Sequence, residues 1–181
     1  MQKHLSCHTN LQPPPHSWRE PFPPSISNFY PAPIVIEGAT YATSEHYYQS
    51  RKFTHNLAIR ALILAAPTPA EAFALAHAHE GDVVADWHTH HKKRDMFRAV
   101  IFKFKQHPQL QVGGGTHSRI KRFFCLTSLQ QQLLATGSRP IVEASVVDAF
   151  WGEGADGSGL NVLGHMLMNI RSTAFCNNVK L

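Results

Sequence analysis

Only two stretches of this chain alternate as a strand requires, PIVIEGATY (33–41) and PIVEAS (140–145), and both are short. All other apolar patterning recurs at helical spacing. With so little strand, the apolar residues can be buried only by packing helices on one another, beside a small sheet. The expected fold is therefore a single helix-dominated α+β domain. The first alternating stretch turns at Glu37-Gly38 and reads as a hairpin; the second is a strand candidate. Helix signals follow in order. Thr43 or Ser44 caps a helix through Phe53, and a second stretch from Asn56 to Ala65 is closed by Pro67. In TPAEAFALAHAHEG, Thr68 caps, Pro69 takes the first turn, Glu71 completes a capping box and Gly81 ends the element. The longest helix runs from Asp86 to about Gln106. Its apolar stripe is Phe97, Val100, Ile101 and Phe104, with Lys92, Lys93, Arg98, Lys103 and Lys105 mostly elsewhere. Residues 129–135 are helical. Asn161 caps a final helix that turns Leu163, Met166, Leu167, Ile170 and Ala174 inward.

A length of 181 residues suits one domain with a real core. Residues 1–25, with PPP and PFPP, are expected to be unstructured, so the domain is placed at 26–176. A formal charge of +5 favours an anionic partner such as a phosphate ester, nucleotide or nucleic acid. The three cysteines (Cys7, Cys125, Cys176) have neither framework nor zinc spacing and suit a reducing compartment, cytoplasm or nucleus. No apolar run reaches membrane-spanning length, so no membrane partner is expected. Oligomeric state leaves no signature.

Chemically capable groups concentrate in two places. In TSEHYYQSRKF (43–53), helical spacing puts Glu45, Gln49, Lys52 and Phe53 on one face with Tyr48 beside them, so one face offers a carboxylate, an amide and an amine. Spacing alone favours a solvated face with its tyrosines turned inward. The other is DAFWGEGADGSGLN (148–161), a glycine-rich loop running into the last helix. Its backbone N–H groups and the helix dipole suit an anion, and Trp151 can stack on a flat heterocycle. An ordinary surface loop with its indole on the core is the alternative. His88 and His91, near Trp87, are spaced i, i+3, but no further ligand pattern completes a metal site, so surface histidines are expected. SNFYP (27–31) either lines a pocket or opens the first strand.

These residues together resemble the YbiA-like, or NADAR, family. SNFYPAPI, EGATYATSEHYYQSRKF, W…K…M…FKFKQHPQL and LLATG…DAFWGEGADGSGLNVLGHMLMNIR occur in the family's order between Ser27 and Arg171. The resemblance implies a compact helix-rich α+β domain with N-glycosidase activity, needing no metal and no cofactor. The implied substrate is a small phosphorylated ribosyl-base, an aminopyrimidine intermediate of riboflavin synthesis cleaved between ribose 5-phosphate and the base. Other members remove ADP-ribose from modified guanine bases, which would make nucleic acid the substrate. A non-catalytic ADP-ribose or NAD-binding module is the alternative of a different class. Glu45 matches the motif glutamate, placed to stabilise oxocarbenium charge or activate water. Lys52 matches the motif lysine and would hold phosphate or form a Schiff base at the anomeric carbon. Trp87 and Trp151 would flank the base, and Asp148 would hydrogen-bond it or assist proton transfer. Asn28, Gly152 and Asn161 match positions that shape the binding pocket.

The chain departs from the family pattern twice. VGGGTHSRIKRFFCLTSLQ (112–130) intervenes between HPQL and LLATG; removing it leaves HPQLQQQLLATG, the family's spacing. Its nineteen residues correspond to 57 nucleotides, a whole number of codons. Valine codons open with GT, the glutamine codon CAG closes with AG, and Leu126-Thr127 can encode a branch-point-like string. An unspliced short intron is the expectation, and a genuine basic loop with a glycine hinge the alternative. Second, the family's first strand is replaced by HSWREPFPPSI, whose prolines suit a central strand poorly. Both departures bear on whether this exact chain is active. An inactive product of a faulty gene prediction is the remaining alternative.

Overall fold

The structure is a computed structural model and describes residues 24–107 and 129–173. The expectations for 1–23, for most of the 112–130 segment and for Ala174 lie outside the described residues. A 3₁₀ turn at Pro24–Ile26 leads into the hairpin β1 (Ile34–Ile36) and β2 (Ala39–Tyr41), antiparallel with Ile34 opposite Tyr41. Glu37 and Gly38 both adopt positive φ at its tip, so a two-residue loop can join the strands. Helices α1 (Ser44–Arg51), α2 (Leu57–Ala65), α3 (Pro69–Ala78), α4 (Lys92–Gln106), α5 (Leu129–Ala135) and α6 (Val162–Thr173) make up the rest of the regular structure. The fold is helix-dominated α+β with a small sheet, as the patterning required.

The cap signals at Thr43, Asn56 and Thr68 hold, whereas the Asn161 side chain, expected to cap α6, bonds Glu143 and Ile141 instead. Thr43 accepts from His46 N, Asn56 from Ile59 N and Thr68 from Glu71 N, each satisfying a first-turn donor. PIVEAS, however, forms no strand. Ile141 is buried in the core, and the bonds a strand partner would make come from one side chain: Asn161 Oδ1 accepts from Glu143 N (2.9 Å) and its Nδ2 donates to Ile141 O (2.8 Å). Asn161 thus sits at positive φ just before α6 and clamps this segment; its side-chain amide is committed there.

The polar helix α1 is central. Every residue from Ser44 to Ser50 is buried, against the solvated-face reading that spacing favoured. Its residues reach three apolar clusters. Tyr47 belongs to a cluster with Ile34, Ile36, Tyr41 and Ala99; Tyr48 to the main core cluster with Trp87, Met96, Val100, Leu133 and Leu163; and Phe53, just past the end of α1, to a third with Ile63, Ala72 and Ala76. A helix so placed must satisfy its polar groups internally. His46 does so fully, bridging Thr43 Oγ1 (2.9 Å) and Ala66 O (3.0 Å), and thereby ties α1 to the end of α2. On α4, Lys103 is fully buried rather than on the solvated side, with its Nζ donating to Ser27 O at 2.6 Å.

Candidate active site

Glu45 lies in the first turn of α1, 4% exposed, its backbone N donating to Asn28 O (3.3 Å). One turn on, Gln49 Nε2 donates to Glu45 Oε1 at 2.6 Å. Burial raises the Glu45 carboxyl to about pKa 7; Gln49 and Lys52 oppose the rise and Glu143 adds to it. Lys52 caps the C-terminal end of α1 and is half-buried. Burial lowers the pKa of its amine, against the attraction of Glu45. Glu45, an acid that holds its proton near neutrality, thus lies on the same helix as Lys52, whose amine sheds its proton more readily than an exposed one.

Tyr48 joins this pair to both indoles. Its ring centroid is 5.2 Å from that of Trp87 and 5.7 Å, edge-on, from that of Trp151, and Lys52 Nζ lies 5.5 Å from the Tyr48 ring and 6.0 Å from Trp87. Burial, then the nearby Glu45 carboxylate, hold the Tyr48 hydroxyl protonated well above its ordinary range, so it acts as a hydrogen-bonding group. Trp87 is fully buried and opens a π-helical turn, Trp87–His91, in which Lys92 N donates to Trp87 O five residues back. His91 lies parallel over Trp87 and bonds Asp86 Oδ2 (2.9 Å). Among the described residues no group of three His, Cys, Asp or Glu is placed to hold a metal ion.

Trp151 is only half-buried. Asp148 Oδ1 accepts from both Phe150 N (2.9 Å) and Trp151 N (2.8 Å), which fixes the turn that carries the indole. Gly152 permits close packing: a Cβ there would meet Glu143 O at 2.6 Å. Much of the expected backbone cradle for an anion is already committed. The amides of Gly152, Glu153, Gly159, Leu160 and Asn161 already donate to carbonyls, and Val162 N and Leu163 N, at the start of α6, donate to Phe150 O and Trp151 O. The two ends of the loop are closed on each other and on Glu143 by these bonds, which occupy the donors at the start of α6.

The structure therefore brings together Glu45, Lys52, Trp87 and Trp151, with Asp148 beside them through the Trp151 turn. Asn28, Gly152 and Asn161 stand at the edges with their groups bonded inside the protein; Asn28 Nδ2 donates to Met96 Sδ (2.9 Å). Sequence reasoning named Gln49 on this face and passed over Glu143, Phe150 and Lys92 as site residues. Lys92 follows the π-helical turn, and its Nζ lies 3.5 Å from the Phe150 ring and 5.6 Å from that of Trp151, a placement that ordinary helical spacing does not announce. A cavity of about 240 Å³ lined by His55, Gly81, Asp82, Val83, Val84 and Ala85 adjoins the end of α1, where Val84 N donates to Lys52 O. None of the sequence-singled site residues lines it.

The NADAR domain family model matches residues 17–174, most of the chain. This protein belongs to the NADAR family. An N-glycosidase of Nostoc punctiforme is 39% identical over 148 residues, spanning 81% of this chain and 82% of that one. N-glycosidase YbiA of Escherichia coli is 32% identical over 146 residues, covering 81% and 78%. The solved structure of E. coli YbiA superposes with a TM-score of 0.65 at 31% identity, over 83% of this chain and 77% of that one. A riboflavin biosynthesis protein of Vibrio vulnificus is 34% identical over 146 residues; this NADAR chain spans 81% of itself in that match but only 34% of the Vibrio protein. No helix among the described residues is long and apolar enough to cross a membrane.

Proposed function

We propose that this NADAR chain is an N-glycosidase that hydrolyses the bond between ribose 5-phosphate and the base of aminopyrimidine intermediates of riboflavin synthesis. The observation that carries the proposal is the buried Glu45 carboxyl on one helix with the Lys52 amine, beside two indoles. Breaking an N-glycosidic bond leaves positive charge on the anomeric carbon and negative charge on the departing nitrogen. Glu45, with a pKa near 7, is poised to give its proton to that nitrogen and afterwards to take one from water. Lys52, whose neutral form burial favours, attacks the anomeric carbon as the C–N bond to the base breaks. The sugar ring then opens to an imine on Nζ, and water releases the sugar and restores the amine. The half-buried face of Trp151 receives the base, and Asp148 holds that indole in place.

The names and identities of the relatives support this reading, and so does the pairing of acid and amine. The test is product analysis after incubation with the aminopyrimidine ribotide and, separately, with ADP-ribosylated guanine in DNA. Release of ribose 5-phosphate and free base from the first supports the proposal. Turnover of the second alone transfers the assignment to ADP-ribosyl hydrolysis. A ligand bound but recovered intact from both marks a binding module.

A further inference from the structure

Among the described residues, most cations have acceptors. Arg51 and Arg94 reach Asp95, Arg98 reaches Glu37, Arg171 donates to Thr136 and to Arg139 O, and Lys103 donates to Ser27 O. Around the two indoles the pattern changes. Lys52, Lys92 and Lys93 have no carboxylate within ion-pair distance among the described residues. Instead their amines face aromatic rings. Lys92 Nζ is 3.5 Å from the Phe150 ring centroid and 5.6 Å from that of Trp151; Lys93 Nζ is 5.5 Å from Phe150. An aromatic face orients an ammonium without neutralising it, so these charges remain available to an anion.

Two further features concentrate charge at this rim. The π-helical turn couples Lys92 to Trp87 through the Lys92 N to Trp87 O bond, so one turn presents both a floor indole and an amine at the edge. Lys92 is half-buried, and its charge adds to the burial that lowers the Lys52 pKa. Asp148, whose charge favours both amines, has the oxygen Oδ1 engaged by the Phe150 and Trp151 amides. The amides of Gly152, Glu153 and 159–163 are bonded internally, and the amines of Lys92 and Lys93 stand at the rim as charged donors for an anion.

We propose that Lys92, assisted by Lys93, forms the phosphate subsite of this cleft, gripping the phosphate of a phosphoribosyl ligand while Lys52 remains free for the anomeric carbon. The assignment rests on the functional reading above and refines it. A phosphate monoester on ribose and the diphosphate of ADP-ribose present the same chemistry to these amines, and the two ligands are tested side by side.

The experiment measures binding of ribose, ribose 5-phosphate and ADP-ribose by calorimetry at low and high salt, on the parent chain and on Lys92→Met. Methionine keeps an apolar stem over Phe150 and removes the charge. The parent is expected to bind the phosphorylated ligands more tightly than ribose, with affinity falling as salt rises. Lys92→Met is expected to weaken them about tenfold or more, as loss of a charge-assisted bond does, and to leave ribose unaffected. Tighter binding of ribose 5-phosphate places a monoester at the rim; tighter binding of ADP-ribose places a diphosphate there. Equal affinity of parent and variant for the phosphorylated ligands overturns the proposal, as does a parent indifferent to the phosphate. If Lys92→Met melts early, Lys93→Met and the parent's ribose versus ribose 5-phosphate comparison decide it. Absence of turnover with intact phosphate-dependent binding would overturn the hydrolase reading and leave the subsite standing.

Discussion

Replacing Glu45 with Gln should make this protein more stable at alkaline pH while removing its activity. The carboxyl is 4% exposed, and burial lifts it from an ordinary 4.5 to about 7. Because the folded state holds this proton more tightly than the unfolded chain, the folded state binds more protons between those two values. Stability is therefore full below pH 4.5 and declines as pH rises to 7. At about 1.4 kcal/mol per pH unit, the accumulated loss is about 3 kcal/mol above pH 7. Glutamine has the shape of the protonated acid, can still accept from Gln49 Nε2 and never ionises. Glu45→Gln should therefore match the parent near pH 4 and exceed it by about 3 kcal/mol at pH 8, on the order of 10 °C in melting temperature. Urea unfolding of both chains from pH 4 to 8.5 reads this directly. Hydrolysis of the aminopyrimidine ribotide should fall by roughly 10²- to 10⁴-fold, the usual contribution of a positioned acid–base group. A stability difference that does not change with pH would show that Glu45 is solvated. Hydrolysis at the parent rate would remove it from the chemistry.

The same reasoning with opposite sign applies to Lys103, whose amine burial lowers to about 7. Lys103→Met should stabilise the protein by several kcal/mol below pH 7, a gain that fades as pH approaches 10.5; a less stable variant at pH 6 would show that the Ser27 bond outweighs the burial cost. Gly164→Ala should destabilise by about 3 kcal/mol in thermal or urea unfolding, since its Cβ would fall 2.1 Å from Ile141 O and between the amide atoms of Asn161; a melt within 1 °C of the parent would refute the contact. A chain lacking residues 112–130 should fold with a melting temperature no lower than the full chain, because Leu110-Gln111 then takes the place of the identical pair Leu129-Gln130. Gln130 Nε2 already ties α5 to Phe104 O, so the elements to be joined are held together. Early melting of the shortened chain would mark the segment as part of the fold, and a transcript that always contains it would reject the intron.

Which segments are helical was legible in the residue order alone, and so were the starts of α1, α2 and α3. Those choices depend on local chemistry: the caps at Thr43, Asn56 and Thr68 satisfy donors within three residues, and the period of the apolar stripe is independent of what it packs against. The sequence also singled out Glu45, Lys52 and both indoles, through an unusual concentration of reactive groups and a family resemblance that the comparisons then established. Tertiary structure decided what spacing could not. Whether α1 is a solvated face or a buried hub depends on neighbours from four other elements, and burial is what moves the Glu45 and Lys52 protons toward neutrality. The fate of PIVEAS turned on the Asn161 amide, eighteen residues from Glu143, which took over the bonds of a strand partner. The glycine loop looked like an anion cradle because its composition allows one; the amides at its two ends bond carbonyls of the loop and of Glu143 instead. Lys92 came to the aromatic rim because one turn of helix widened, a change in backbone pitch that no side-chain pattern announces.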